Sequence, residues 1–123
     1  MRSSYRIAIY LRLSKEDEEI HDESNSILSQ RLLLNGYVRN NFEKYELAEF
    51  VDDGFSGTNF QRPGISTLLE QARDGKFDCI IVKDFSRFSR DYIELGSYLE
   101  QIFPILGVRF ISLRQTYSYC SGR

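Results

Sequence analysis

A chain of 123 residues, 41% hydrophobic and 28% charged, suits one globular domain with a modest core. The composition excludes several classes: no apolar run approaches the roughly 20 residues of a membrane span, two cysteines make no disulfide framework or metal-ligand spacing, and the single histidine, His21, sits in an acidic stretch and disfavours histidine-base or zinc chemistry. A formal net charge of −2 argues against a broadly basic nucleic-acid surface, but the acid is concentrated at Glu16 to Glu23 while Lys83, Arg87 and Arg90 cluster elsewhere, which leaves a local phosphate site open.

The opening MRSSYRIAIYLRLSKED lacks the apolar core and small-residue cleavage site of a signal peptide, so an intracellular, cytoplasmic protein is expected. Tyr5 to Leu13 is rich in β-formers and reads as a strand, and Ser14 to Asn25 as a polar, acidic loop. Ser26 to about Asn40 reads as a helix, with Ile27, Leu34 and Val38 at helical spacing. Tyr45 to Asp52 is a second strand and Asp53 to Pro63 a glycine-rich loop. Helical spacing returns at Ile65, Leu68, Leu69 and Ala72, with Pro63 near the helix start, where its missing N–H costs little. Asp78 to Lys83 is a short apolar run of the kind found in buried parallel strands. After a loop, a helix is expected from about Asp91 to Leu106, with a stripe of Tyr92, Leu95, Leu99, Ile102 and Leu106 and with Pro104 kinking it or ending it early. Arg109 to Leu113 is the fourth strand. Residues 114–123 have no period and are expected to form a mobile tail.

The alternation βαβαβαβ predicts a parallel sheet with helices on both faces and right-handed crossovers. Ligands of such sheets bind outside the carboxyl ends of the strands. That edge collects Arg12 and Ser14 from the first strand, Asp52, Asp53 and Ser56 from the second, Lys83, Asp84, Ser86, Arg87 and Arg90 from the third, and Arg62 from the glycine-rich loop. Guanidinium groups grip phosphate oxygens in a bidentate way that lysine does not copy, so several on one edge suggest a bound phosphate. A serine hydroxyl is a weak nucleophile without a base. Here the activation would come from the arginine field and a positioned phosphate, which is the main requirement of phosphoryl transfer.

Each residue alone also has a plainer reading. Ser14 in SKED resembles a capping box, Arg12 fits a solvated strand face, and Asp53 and Ser56 fit turn chemistry. Arg87 and Arg90 fit an exposed basic helix face. Gln30, on the apolar stripe of the first helix, is either a satisfied interior amide or a residue that reaches a site. The plain readings do not explain why these positions converge on one edge.

Taken together the motifs resemble those of the serine recombinases, the resolvase–invertase family. Tyr10-Leu11-Arg12-Leu13-Ser14 resembles their Y-x-R-x-S signature, and Ser26 to Gln30 the S-x-x-x-Q that opens their first helix. Asp53-Gly54-Phe55-Ser56-Gly57 with Arg62-Pro63-Gly64 resembles D-x-x-S-G…R-P. Lys83 to Asp91 resembles K-x-L-x-R-x-x-R-D. The resemblance covers about residues 5–113, and the GFSG and RPG details are most like the large serine recombinases of transposons and phages. It implies a resolvase-like, three-layer α/β fold with a mainly parallel four-stranded sheet. It also implies a site-specific DNA recombinase, acting in integration, excision or resolution, whose Ser14 attacks a DNA phosphodiester and forms a 5′-phosphoserine link. In that scheme Arg12, Arg87 and Arg90 bind the phosphate, Arg62 and Gln30 assist positioning, and Asp53 orients an arginine or handles a proton. No metal and no nucleotide cofactor is implied. The implied partners are DNA at recombination sites and further copies of the protein, as dimer and tetramer, with no membrane.

Two departures from the pattern follow. Ser86 stands directly before Arg87 where many relatives carry Asp, with Asp84 nearby. Relatives also continue into a long helix and DNA-binding domains, so residues 1–113 are expected to be the catalytic domain of a chain truncated before those parts, not competent for full recombination alone. The alternative is an inactive, resolvase-like remnant or regulator acting through protein contacts. A nucleotide-binding α/β module is disfavoured, since LRLSKEDE after the first strand holds neither G-x-G-x-x-G nor a P-loop.

Overall fold

The computed structural model describes residues 4–13, 26–53, 63–89, 91–113 and 117–119. The elements are β1 (Tyr5–Leu13), α1 (Ile27–Asn41), β2 (Tyr45–Asp53), α2 (Pro63–Arg73), β3 (Cys79–Val82), α3 (Phe85–Phe88) and α4 (Tyr92–Ser97). A π-helical segment (Tyr98–Ile102) leads into α5 (Phe103–Leu106), followed by β4 (Arg109–Ser112) and β5 (Tyr117–Tyr119). The sheet order is β2-β1-β3-β4-β5. The first four strands are parallel, and β5 runs antiparallel to β4 with Phe110 opposite Tyr119. The βαβ expectation holds for the four parallel strands. β5 lies where the sequence has no period, so the expected mobile tail contains a strand: three residues paired to one neighbour leave too short a pattern to read.

Strand alternation sorts β1 between two cores. Ile7, Ile9 and Leu11 join Cys79, Ile81 and Ile111 against Leu34 and Val38 of α1. Ala8 and Tyr10 join Ile80, Val82 and Phe110 on the opposite face, under Ile65, Leu68, Leu69 and Ala72 of α2 and under Phe88, Leu95, Leu99 and Phe103. Buried on both faces, β3 (CIIV) is apolar throughout, as a central parallel strand should be. On the second face Phe88, Phe103 and Phe110 form a cluster with ring centroids 5.1–5.7 Å apart. At this spacing aromatic pairs add about 0.5–1.5 kcal/mol beyond area burial.

Two local features differ from the sequence reading. The loop after β3 contains the helical turn α3, which four residues cannot announce by periodicity. The last long helix reaches Leu106 as expected, but Pro104 neither ends it nor leaves it regular. The π-helical segment before Pro104 rotates the helix face, so the inward position passes to Phe103, which is fully buried, while Ile102 and Leu106 are half-buried. Such bulges accommodate a lost backbone donor within a helix. The helix stops at Gly107, whose φ of 74° is the left-handed conformation glycine adopts without a Cβ penalty.

Candidate active site

The carboxyl ends of β1, β2 and β3 meet around Arg12. By the alternation of β1, the Arg12 side chain falls on the Ala8 and Tyr10 face, toward α3, and it is fully buried. Its Nε donates to the Arg87 carbonyl at 3.1 Å and its Nη2 to the Ser86 carbonyl at 2.8 Å. Arg87 returns the contact, with Nη1 donating to the Arg12 carbonyl at 3.1 Å. Each arginine therefore fastens the other's backbone, and α3 is stitched to the end of β1.

Gln30 completes this knot from the other face. It is fully buried on α1, accepts from the Arg12 N–H at 3.2 Å and donates to the Arg12 carbonyl at 2.9 Å. β1 pairs with β3 only from Ile7 to Ile9, so its last residues run past that neighbour. The side-chain amide offers Arg12 the acceptor and donor that another backbone would offer. Ser26 caps this helix by accepting from the Ser29 N–H at 3.0 Å, which fixes the turn that carries Gln30.

Two carboxylates support the same edge. Asp52, at the end of β2 and nearly fully buried, accepts from the Tyr10 hydroxyl at 2.7 Å, the Gly64 N–H at 2.8 Å and the Ile65 N–H at 2.9 Å. It thus satisfies first-turn donors of α2 from a distant strand. A Cβ at Gly64 would lie 2.8 Å from both Asp52 Oδ2 and the Val51 carbonyl, so this approach requires glycine. Asp84, also buried, accepts from the Ser86 hydroxyl; its Oδ2 lies 3.8 Å from Arg87 Nε. Lys83 is nearly buried beside it.

Of the residues singled out in the sequence, Arg12, Gln30 and Arg87 come together in one network. The solvated-face reading of Arg12 and the exposed-face reading of Arg87 are both overturned, because both side chains are buried. Gln30 proves to be a satisfied interior amide at the border of the site. Asp53 is exposed at the tip of β2, opposite Leu13 in register. Ser14, Ser56, Arg62 and Arg90 lie outside the described residues. The sequence reading placed Asp52 at this edge without a role. The available signal was Tyr10, whose hydroxyl inside a β-forming run needs a buried partner.

A cavity of about 650 Å³ lies away from this edge, between α1 and β4, lined by Leu32, Leu33, Tyr37, Arg109, Ile111 and Leu113 among others. Among the described residues no cluster of His, Cys, Asp and Glu is suited to a metal ion, and no helix is long and apolar enough to cross a membrane.

Fold and edge together define a three-layer α/β domain with four parallel strands, whose carboxyl edge is organised around buried guanidinium groups. The chain belongs to the resolvase N-terminal domain family, whose model matches residues 7–122. It is 34% identical over 84 residues to a putative DNA recombinase of Bacillus subtilis (strain 168), a match covering 68% of this chain but 16% of that protein. The chain therefore spans a small part of that relative's length. Its fold is similar to the N-terminal catalytic domain of TP901-1 integrase, with a TM-score of 0.78 at 25% identity over 92% of this chain and 80% of that one. It is also similar to the C-terminal catalytic domain of an IS607-like serine recombinase, with a TM-score of 0.69 at 25% identity over 88% and 67% of the two chains. A resolvase family site-specific recombinase from Streptococcus pneumoniae shares the fold, with a TM-score of 0.72 at 24% identity over 94% and 76%.

Proposed function

We propose that this domain is the catalytic unit of a serine-type, site-specific DNA recombinase and that Ser14 is its nucleophile. The observation that carries the reading is the buried Arg12–Arg87 knot at the end of β1, two residues before Ser14. Membership of the resolvase family and the likeness to solved recombinase catalytic domains support it.

In the proposed reaction Ser14 Oγ attacks a backbone phosphate. The bond from phosphorus to the 3′ oxygen breaks as the bond to Oγ forms, the hydroxyl proton leaves Ser14, and the 3′ oxygen departs as a hydroxyl. The 5′-phosphoserine diester conserves the bond energy, so attack by another 3′-hydroxyl rejoins the strands. Arg87 and Arg90 neutralise the charge that develops on the phosphate oxygens. Arg12 contributes charge; its Nε and Nη2 hold the Arg87 and Ser86 carbonyls. Gln30 fixes the end of β1, and Arg62 and Asp53 assist from the second loop. The reaction calls on guanidinium charge, with no metal or nucleotide cofactor. DNA is the substrate partner, dimers and tetramers the working assembly, and the cytoplasm the setting.

The test uses a nicked substrate that traps the cleaved state, in the protein that carries this domain. A covalent protein–DNA adduct should form and map to Ser14, and Ser14→Ala should abolish it. DNA binding should persist, because one neutral hydrogen bond is worth only about 0.5–1.5 kcal/mol. An adduct that survives Ser14→Ala, or maps elsewhere, overturns the reading.

A further inference from the structure

The turn that carries Arg87 begins at Asp84, and Asp84 is used in an unusual way. It occupies the N-cap position of α3, yet its side chain makes no capping hydrogen bond. Aspartate is favoured at that position because its carboxylate accepts from the N–H groups two and three residues on. Here those belong to Ser86 and Arg87. The carboxylate instead turns to their side chains: one oxygen accepts from the Ser86 hydroxyl, and the other faces Arg87 Nε at 3.8 Å. Both members of the ion pair are buried, with side chains 4% and 7% exposed. A buried charge that forgoes its local backbone donors must be compensated by its remaining partners. Those partners are one hydroxyl and one guanidinium.

We propose that Asp84 is the positioning residue for Arg87, and that the Ser86 hydroxyl fixes the Asp84 carboxylate in the orientation that does this. The inference rests on the proposed recombinase chemistry for its consequence, though not for its geometry. Nη1 of Arg87 donates to the Arg12 carbonyl and the Asp84 carboxylate faces its Nε side, so both contacts constrain the guanidinium plane. The 3.8 Å separation exceeds a hydrogen bond. It keeps the arginine neutralised while leaving it able to turn toward a phosphate, which binds guanidinium with shorter, bidentate contacts. Ser86 thereby takes a defined place: it is the hydroxyl that lets a carboxylate two residues earlier serve the arginine directly after it.

The experiment compares Asp84→Asn, Ser86→Ala and the exchange variant Asp84→Asn/Ser86→Asp, which moves the carboxylate beside Arg87. Two readouts are taken on each: the single-turnover rate of adduct formation on the nicked substrate, and the Nε–H resonance of Arg87 by NMR. Asp84→Asn should slow adduct formation about 10–100-fold, as a misplaced catalytic group does, with DNA binding changed little. Ser86→Ala should slow it less. The exchange variant should recover most of the lost rate. The Arg87 resonance should move in Asp84→Asn and return toward its original position in the exchange variant. An unshifted resonance in Asp84→Asn, or an unchanged rate in an active protein, overturns the proposal. Should Asp84→Asn fail to fold, Ser86→Ala and the exchange variant decide by the same two readouts. If the unaltered protein forms no adduct, the recombinase reading falls, and the resonance alone decides whether Asp84 holds Arg87.

Discussion

Two arginine–carboxylate pairs in this molecule invert the expected relation between geometry and worth. Arg31 of α1 meets Glu49 of β2 in a bidentate contact, Nε to Oε1 and Nη2 to Oε2, both at 2.9 Å. Arg87 and Asp84 are 3.8 Å apart at their recorded ion-pair contact. By distance the first pair is the better one. Its side chains are 39% and 33% exposed, however, against 4% and 7% for the second. Water solvates the separated members of the first pair at little cost, whereas nothing replaces a missing partner in the second. The lesson is that burial, more than distance, decides which pair the fold depends on. The looser buried pair is also the one that follows β3, where the proposed chemistry calls for an arginine held and yet able to turn.

The largest expected effect comes from breaking the buried pair. Arg87→Ala leaves Asp84 buried with its hydroxyl partner alone and removes the donor to the Arg12 carbonyl, so unfolding free energy should fall by about 3–5 kcal/mol. Adduct formation should fall by about 10³-fold or more if Arg87 carries phosphate charge. Urea denaturation and single-turnover cleavage measure the two. A stability loss as small as that of an ordinary surface substitution would remove the basis of the comparison.

A third carboxylate sharpens it. Asp52 is buried like Asp84, but its partners are two backbone N–H groups and the Tyr10 hydroxyl. Backbone donors do not turn, so Asp52 acts as a fixed clamp between β1, β2 and α2. Gly64→Ala should strain that clamp, because the new Cβ would meet Asp52 Oδ2 and the Val51 carbonyl at 2.8 Å, and neither can give way easily. A loss of about 1–3 kcal/mol is expected, as for other overpacked sites. Calorimetric melting of this variant beside Arg87→Ala ranks clamp against pair. No loss at all would mean the start of α2 shifts freely, and Asp52 would not be a clamp.

The comparison also marks how far the sequence could be read. The parallel sheet was legible because β1 and β3 carry unambiguous apolar patterns, and Ile80 and Val82 are buried as that pattern requires. The rule for open α/β sheets directed attention to the edge where Arg12, Gln30 and Arg87 share one network. Partner choice was not legible. Sequence spacing places Arg87 beside Ser86 and three residues after Asp84, but only the turn of α3 brings the carboxylate round to the guanidinium. Likewise nothing in VDD distinguishes Asp52, which is buried, from Asp53, which is exposed, until the register with β1 is known. The π-helical segment was hidden because one added residue in a helix changes which face is inward without changing composition.

The smallest expected effect belongs to the pair with the better distances. Glu49→Gln removes the charge and keeps the shape, so Arg31 retains an amide oxygen to donate to. The Glu49 hydrogen bond, and then its charge, push the Arg31 guanidinium above its ordinary pKa. Because the guanidinium is charged in both folded and unfolded chains near neutral pH, whatever the contact contributes is fully present there, does not vary with pH in that range, and is lost only as pH rises through the raised pKa. Its source is an attraction in water-like dielectric. It is weakened by the entropy of holding two long side chains and screened over about 10 Å at 0.1 M salt. The denaturation midpoint of Glu49→Gln should therefore lie close to that of the unaltered protein, and any small difference should shrink as salt is raised toward about 0.5 M. Adduct formation should be unchanged, since the pair lies on the outer side of α1 and β2, whereas the neighbouring Gln30 points inward to Arg12. A destabilisation comparable to that of Arg87→Ala, insensitive to salt, would show that the Arg31–Glu49 contact is sheltered from water in solution. Burial would then not be what separates the two pairs.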